Sequence, residues 1–439
     1  MNYLFIHQNM PGQWRHIVAH LAQQGGHRIV VLGRRQGEGS HKRPLVHAVP
    51  GVQYRSYRVH NRYEGFGGDQ PGSAFDSFMV HGRAAAEVMQ RLKAEGFTPD
   101  VIAAHPGWGE SLFAKEVFPA VPLLHYCEFY YRSRGGDYGF IGERSLAREM
   151  NLRARNAGLS LSLEAMDWGL SPTAWQKSQH PADAHARMSV LHDGIDTDTV
   201  RPDPGARLLL PTGRVLSAQD EVLTFVARNL EPQRGFDQFL RAAERVQRLR
   251  PDAHVVIAGG EGVSYGKAPA DGRSWKNHVL DLVRLDPLRT HFMGSLPFAE
   301  HVKLLQVSSV HAYLSIPFVL AWSMTEAMSA GCLLVGSDTA PVRELIRHGH
   351  NGLLVDYFDV DAIATTLADA LARRAELQAL RDAARATILA SYDQQRHCVP
   401  RLARLLEDLA QGRRPEAPPP LPPQVLDAGT PSLLPSVAP

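Results

Sequence analysis

The sequence predicts an α/β protein made of two successive doubly wound domains, each a parallel sheet with helices on both faces. Three observations carry this. Short apolar runs alternate with helix-spaced segments, which is the pattern of parallel β-α-β units. The pattern restarts after the stretch "VRPDPGARLLLPTGR". The chain has 439 residues, too long for one ordinary core and suited to two domains of roughly 200 residues. Together these read as two facing Rossmann-like domains, with the ligand expected in the interdomain cleft, because open parallel sheets bind beyond the carboxyl ends of their strands.

The first domain is placed at 1–200. "NYLFIHQN" is a short strand ending in the "MPGQ" turn, "RHIVAHLAQQGGH" has helical spacing with a Gly stop, and "RIVVLG" is the next strand. "FDSFMVHGRAAAEVMQRLKAEG" reads as a helix, and "DVIAAH" and "VPLLHYC" as strands. The second domain is placed at 201–390. "VLTFVARN", "AHVVIAGG", "SSVHAYLS" and "CLLVGSD" are its strands, "FDQFLRAAERVQRLRPD" and "WSMTEAMSAG" its helices, and "VRELIRHGHNG" a short helix and turn. From Asp361 to about Leu409 the spacing is helical, with 391–412 expected to cross back to the first domain as a C-terminal helix. Residues 413–439 are Pro-rich, and proline removes backbone donors, so a disordered tail is expected there. A partner-binding role for its PxxP-like run is the alternative.

A composition of 44% hydrophobic and 21% charged residues is that of an ordinary globular protein. The net charge of +2 gives no ground for a nucleic-acid partner. The three cysteines, Cys127, Cys332 and Cys398, lie far apart with no CxxC pair, which argues against a disulfide framework or zinc knuckle and for a reducing, cytoplasmic setting. No apolar stretch approaches the length of a membrane span. "ERSLAREMNLRARNAG" reads as an amphipathic helix with a solvated face. The alternative has it meet anionic headgroups or a lipid-linked acceptor, giving peripheral membrane association.

Chemistry concentrates in the second domain. "ARNLEPQRGF" places Arg228 just after a strand and Arg234 before a Gly, so both guanidinium groups can reach one anion; ordinary surface arginines are the plainer reading. "AGGEGVSYGK", containing Gly260 and Tyr265, follows a strand with glycines that permit close backbone approach. "YLSIPFVLAWSMTEAMSAG" adds an uncharged loop and a helix beginning near Val319 to Ala321. The free N–H groups of that helix start favour phosphate or sugar hydroxyls, and Glu326 about two turns in is either a ribose clamp or a solvated residue. In the first domain Gly12 is a turn glycine or a point of close diphosphate approach. "HPGWGE" offers His105, Trp108 as a sugar platform or a packing residue, and Glu110 as a hydroxyl acceptor. "DTD" at Asp196–Asp198 and "HGH" at His348–His350 are better read as turns than as metal ligands.

From "MNYLFIHQNMPGQ" to about Leu409 these residues resemble a retaining family-4 glycosyltransferase of GT-B architecture, in the subgroup carrying "HPGWGE", "EFYY", "SPTAWQ", "HDGID" and "PFVLAWS". The resemblance implies donor-binding residues at Gly12, Gly260, Tyr265, Leu296, Phe318, Val319, Leu320, Ala321, Ser323 and Glu326. The second Glu of the family's Glu-x7-Glu motif, which binds the ribose, matches Glu326. The family's diphosphate-neutralising Arg and Lys fall on Arg228 and Arg234, with one extra residue between them and Arg in place of Lys. The family's Asn-Gly-Val-Asp turn appears as "HDGID". There are two departures. The first motif Glu falls on Phe318, and the family's His near the reaction centre falls on or near Glu128.

The implied activity is transfer of a sugar from a nucleotide-diphosphate donor to a glycan, lipid-linked or protein hydroxyl with retention. Uridine diphosphate is the first expectation for the donor, and neither metal nor cofactor is expected. Arg228, Arg234, Glu128 and Glu326 are the expected catalytic set, with His105, Trp108 and Glu110 on the acceptor side; Glu128 orients sugar or acceptor, or simply closes a loop. The competing expectation, motivated by Phe318, is a non-catalytic nucleotide-sugar-binding or scaffold protein of the same fold. A further rival is a GT-B epimerase or hydrolase, which turnover dependent on an added acceptor would set apart.

Overall fold

The structure, a computed structural model, describes residues 1–35, 49–59 and 73–416. The tail expected to be disordered therefore lies, from 417 on, outside the described residues. The described residues fall into two compact units, one from Met1 to Asp193 together with those from Gln395 on, the other Gly194–Gln394.

In the first unit the strands are β1 (Asn2–Ile6), β2 (Arg28–Arg34), β3 (Val52–Tyr57), β4 (Val101–Ala104), β5 (Leu123–Tyr126), β6 (Trp168–Ser171) and β7 (Met188–Val190). They form one sheet in the order β3-β2-β1-β4-β5-β6-β7, with every pairing parallel. Helices α1 (Arg15–Gln24), α2 (Ser73–Ala94), α3 (Ala114–Val117), α4 (Leu146–Ala165) and α5 (Ala174–Gln179) connect them. Along β1, Tyr3 and Phe5 enter one apolar cluster while Leu4 and Ile6 enter another, and β2 repeats the alternation with Ile29 and Val31 against Val30 and Leu32. A strand whose successive side chains point to opposite faces is apolar throughout when both faces are covered. That is why "NYLFI" and "RIVVL" read as unbroken apolar runs.

The second unit opens with an antiparallel hairpin of β8 (Arg207–Leu209) and β9 (Val215–Ser217). Its main sheet holds β10 (Val222–Asn229), β11 (His254–Gly260), β12 (Thr290–Gly294), β13 (Val310–Tyr313), β14 (Leu333–Ser337) and β15 (Leu353–Val355), in the order β12-β11-β10-β13-β14-β15 and all parallel. Helices α6 (Phe236–Leu249), α7 (Trp275–Leu280), α8 (Phe298–Val307), α9 (Trp322–Ser329), α10 (Ala340–Arg343), α11 (Val360–Ala372) and α12 (Gln378–Ser391) complete it. Val255 and Ile257 face one core and Val256 and Ala258 the other, the same two-sided burial.

The unit boundary falls at 193/194 and 394/395 instead of 200 and 390, and the reason is local pairing. Ile195 N–H donates to the Tyr392 carbonyl at 2.8 Å, Gln394 N–H donates to the Ile195 carbonyl at 2.9 Å, and the Thr197 hydroxyl donates to Asp393 at 2.5 Å. Ile195 and Val200 pack in a core of the second unit. The helical stretch expected from Asp361 to Leu409 is three helices, broken at residues 373–377 and again by a π-helical turn at Gln394–Cys398. Its last helix, α13 (Val399–Ala410), buries Leu402, Leu405, Leu406 and Leu409 in the same core as Trp14, Ile17 and Leu21 of the first unit.

Candidate functional site

Each sheet reverses its direction of winding at one place, and the candidate residues gather there. In the second unit the chain runs from β10 outward to β11 and β12, then returns to the other side of β10 as β13. Crevices at such reversals, beyond the strand carboxyl ends, are where doubly wound sheets bind ligands. Arg228 and Arg234 follow β10, Gly260 and Tyr265 follow β11, Leu296 follows β12, and Phe318 to Glu326 follow β13.

Arg234 is the best-defined of these. Its side chain is buried, and Nη1 donates to the Val319 carbonyl at 2.8 Å and to Ser315 Oγ at 3.2 Å. The guanidinium carbon lies 4.8 Å from the Tyr265 ring centroid and 5.6 Å from that of Phe318, and the two rings meet edge to face at 5.0 Å. Burial disfavours its charge, but Tyr313, Tyr265 and Glu231 outweigh this and hold its pKa above the usual arginine value. Phe318, standing where the resemblance expects a carboxylate, thus covers a cation. Arg228 differs: it is exposed at the end of β10, so the two arginines are not an equivalent pair.

Glu326 is not the solvated residue of the plainer reading. Its Oε2 is 2.8 Å from His301 Nε2 of α8, and both side chains are largely covered. Helix α9 begins at Trp322, one residue beyond the expected Val319 to Ala321, with Ala321 as its N-cap. The Ala321 N–H expected to be free donates to the Tyr313 hydroxyl at 2.8 Å. Ser323 is buried and its Oγ has no partner among the described residues. Leu320 packs in the core and Leu296 and Ala321 pack at its edge. At Gly260 a Cβ would come 2.6 Å from Asn229 Oδ1, so a side chain there would displace the Asn229 amide.

In the first unit the reversal lies between β1 and β4, and it is flanked by a continuous polar chain. His7 Nδ1 accepts from Asn9 N–H at 2.9 Å, so its proton sits on Nε2 and is donated to Gln13 Oε1 at 2.8 Å. The Gln13 amide donates to Glu128 Oε1 at 3.0 Å. On the other side His105 Nδ1 accepts from Gly107 N–H at 3.0 Å, and its Nε2 faces Glu128 Oε2 at 3.3 Å. Glu128 therefore receives one donor on each oxygen, the arrangement that suits a carboxylate. Burial, then the neighbouring His105, lowers the His7 pKa to about 3. Gly12 has φ +49°, and a Cβ there would sit 2.4 Å from His7 Nε2, so the imidazole occupies the space a side chain would need.

Trp108 is half-buried and stacks on His105 at 4.6 Å, with His7 at 5.1 Å from its ring. It belongs to a ring cluster with His7, His105 and Tyr126. Glu110 departs from expectation: it is fully buried, and its Oε1 accepts from the Tyr57 hydroxyl at 2.5 Å. Burial raises the Glu110 pKa. The Glu110 carboxyl is thus closed to solvent, against the expected contact with an acceptor hydroxyl.

Two further expectations resolve as turns. Asp196 accepts from the N–H groups of Asp198 and Thr199, and His348 Nδ1 accepts from Leu354 N–H. Among the described residues no group of three or more His, Cys, Asp or Glu is placed to hold a metal ion, and no helix is long and apolar enough to cross a membrane. His7, Gln13, Glu231 and His301 were not singled out from the sequence. Only Gln13 had a local signal, its place in the "MPGQ" turn after the first strand.

Comparison with known proteins agrees with this architecture. Residues 25–200 match the model of the glycosyl transferase family 4 group, and residues 214–387 match that of glycosyl transferases group 1. A D-inositol 3-phosphate glycosyltransferase of Mycolicibacterium gilvum is 32% identical over 207 residues, 44% of this chain and 41% of that one. A GDP-mannose-dependent alpha-(1-6)-phosphatidylinositol monomannoside mannosyltransferase of Mycobacterium tuberculosis is 28% identical over 211 residues, 47% of this chain and 52% of that one. The chain thus spans about half the length of the curated relatives it matches. Among solved structures, Anabaena HepE in complex with UDP and glucose aligns with a TM-score of 0.66 at 16% identity, over 93% of this chain and 100% of that one. The sucrose-phosphate synthase of Thermosynechococcus elongatus aligns with a TM-score of 0.71 at 16% identity, over 94% and 100%. Residues 25–200 and 214–387 thus each match a glycosyltransferase model, and the fold built on these two all-parallel sheets is the GT-B fold.

Proposed function

We propose that the protein transfers a sugar from a nucleoside-diphosphate donor to an acceptor hydroxyl, with retention and without a metal. The observation that carries this is Arg234, a buried guanidinium fixed at the sheet reversal of the second unit by the Val319 carbonyl and two aromatic rings. A cation preorganised in this way stabilises charge on a departing diphosphate without reorganising at the moment of reaction. Arg228, exposed at the same strand end, adds mobile positive charge. Glu326, held by His301 through one oxygen, keeps the other for a ribose hydroxyl. The acceptor attacks from the face the diphosphate leaves, and the departing phosphate takes its proton. Glu128, with both oxygens engaged by Gln13 and His105, orients the sugar or the acceptor.

The donor nucleoside is uridine or guanosine. Solved GT-B relatives hold UDP, while curated relatives are named as GDP-mannose-dependent. Those relatives also motivate an inositol phosphate or lipid-linked acceptor. The test is release of nucleoside diphosphate from a panel of UDP- and GDP-sugars, with and without chelator and with acceptors of both kinds. Acceptor-dependent release insensitive to chelator supports the transferase. Binding without turnover under any acceptor supports the scaffold reading that Phe318 motivates.

A further inference from the structure

We infer that Glu231 is a positioning residue that fixes Arg234 for the donor by clamping the loop after β11. Glu231 sits at the N-terminus of the 3-10 turn Pro232–Arg234, yet it does not cap that turn with its side chain. It is fully buried, and its carboxylate instead gathers three successive backbone donors: Ser264 N–H at 3.2 Å, Tyr265 N–H at 3.1 Å and Gly266 N–H at 3.1 Å. Three consecutive amides converging on one carboxylate form a charge-assisted clasp, much stronger than the same number of neutral contacts. The clasp is reinforced from its flanks. Asn229 Nδ2 donates to Ser264 Oγ at 2.6 Å, and a Cβ at Gly266 would collide with the Gln233 side chain at 2.5 Å.

The consequence is the position of one ring. Tyr265, the middle residue of the clasp, has its backbone held by Glu231 while its half-exposed ring lies on the Arg234 guanidinium and against Phe318. Arg234 and Glu231 are three residues apart on one turn, so a single short segment carries both the cation and the clamp that seats the ring over it. Without the clamp the Tyr265 ring is free to leave, and the guanidinium keeps its bonds to Val319 and Ser315 and the Phe318 ring. The inference rests on the nucleotide-sugar reading above, and it adds a residue that touches no donor atom.

The test measures donor kinetics and calorimetric binding of UDP and GDP in the full chain for wild type, Glu231→Gln, Tyr265→Leu, Tyr265→Phe and the double variant Glu231→Gln/Tyr265→Leu. Glutamine offers the amides one acceptor and turns a donor toward them. Expected is a fall of about tenfold in kcat/KM for the donor in each of the first two variants, no further fall in the double variant, and a smaller fall for Tyr265→Phe, which keeps the ring but loses the hydroxyl that bonds Arg234. A merely structural role would move the melting temperature and leave the losses additive. Wild-type binding with Glu231→Gln binding equally well, or additive losses, overturns the inference alone. A wild type that binds neither nucleotide overturns the nucleotide-sugar reading itself and this inference with it.

Discussion

His301 Nε2 lies 2.8 Å from Glu326 Oε2, joining helices α8 and α9 through a largely covered pair. The pair holds Glu326 through one oxygen, and on the proposed reading the other meets the donor ribose. His301→Ala is expected to raise the donor KM about tenfold, the loss of one charge-assisted hydrogen bond of ~1.5 kcal/mol, with little change in kcat. Steady-state kinetics with varied donor check this, and an unchanged KM shows that Glu326 needs no such support.

Glu128 is expected to matter after binding. Glu128→Gln removes the charge that His105 and Gln13 converge on while nearly keeping its shape. The kcat is expected to fall roughly a hundredfold with donor affinity nearly unchanged, as single-turnover and equilibrium binding measurements would show.

Glu110 is expected to separate from function. Glu110→Ala removes one of two partners of the buried Tyr57 hydroxyl, leaving His81 Nδ1 at 3.0 Å, and the lost buried hydrogen bond costs about 1 kcal/mol of stability. The midpoint of chemical denaturation falls accordingly, while the donor KM of the folded fraction stays at the wild-type value.

His7 predicts a pH dependence of stability. Its folded-state pKa is depressed to about 3 from 6.5, first by burial. A base that is harder to protonate when folded makes the unfolded state bind the proton more readily. Its contribution is therefore complete above pH 6.5 and lost progressively as pH falls toward 3, with a slope of up to ~1.4 kcal/mol per pH unit in between. His125 and His311, depressed to about 3 as well, act in the same sense. The expected result is a shallower dependence of unfolding free energy on pH in His7→Gln than in wild type between pH 6.5 and 4.

The doubly wound organisation was legible because strands covered on both faces leave unbroken apolar runs, as in "RIVVLG" and "AHVVIAGG", with helix periodicity between them. The elements without such runs were not legible. β3 reads "VQYRSY", with its side chains mostly half-covered, and β15 is only three residues long. Arg228, Arg234 and Glu326 were visible because each follows a strand, and position after a strand is written in the sequence. Their partners were not. His301 meets Glu326 from a separate helix, and Glu231 reaches amides about thirty positions away, so neither has a local pattern. Glu110 misled for the opposite reason. It lies in a strand-end loop as a ligand-binding residue does, but burial against Tyr57, which only the fold brings near, turns it inward.

The proposed reaction depends on Arg234 receiving the donor diphosphate. Isothermal calorimetry of UDP and GDP against wild type and Arg234→Ala, with chelator present, tests it most directly. Wild type is expected to bind at least one of the two, and Arg234→Ala to weaken this by about two orders of magnitude, the cost of removing one partner of a buried charge pair. Equal affinity in wild type and variant would contradict it, since a buried guanidinium that no phosphate meets serves only to hold Val319 and the rings above it.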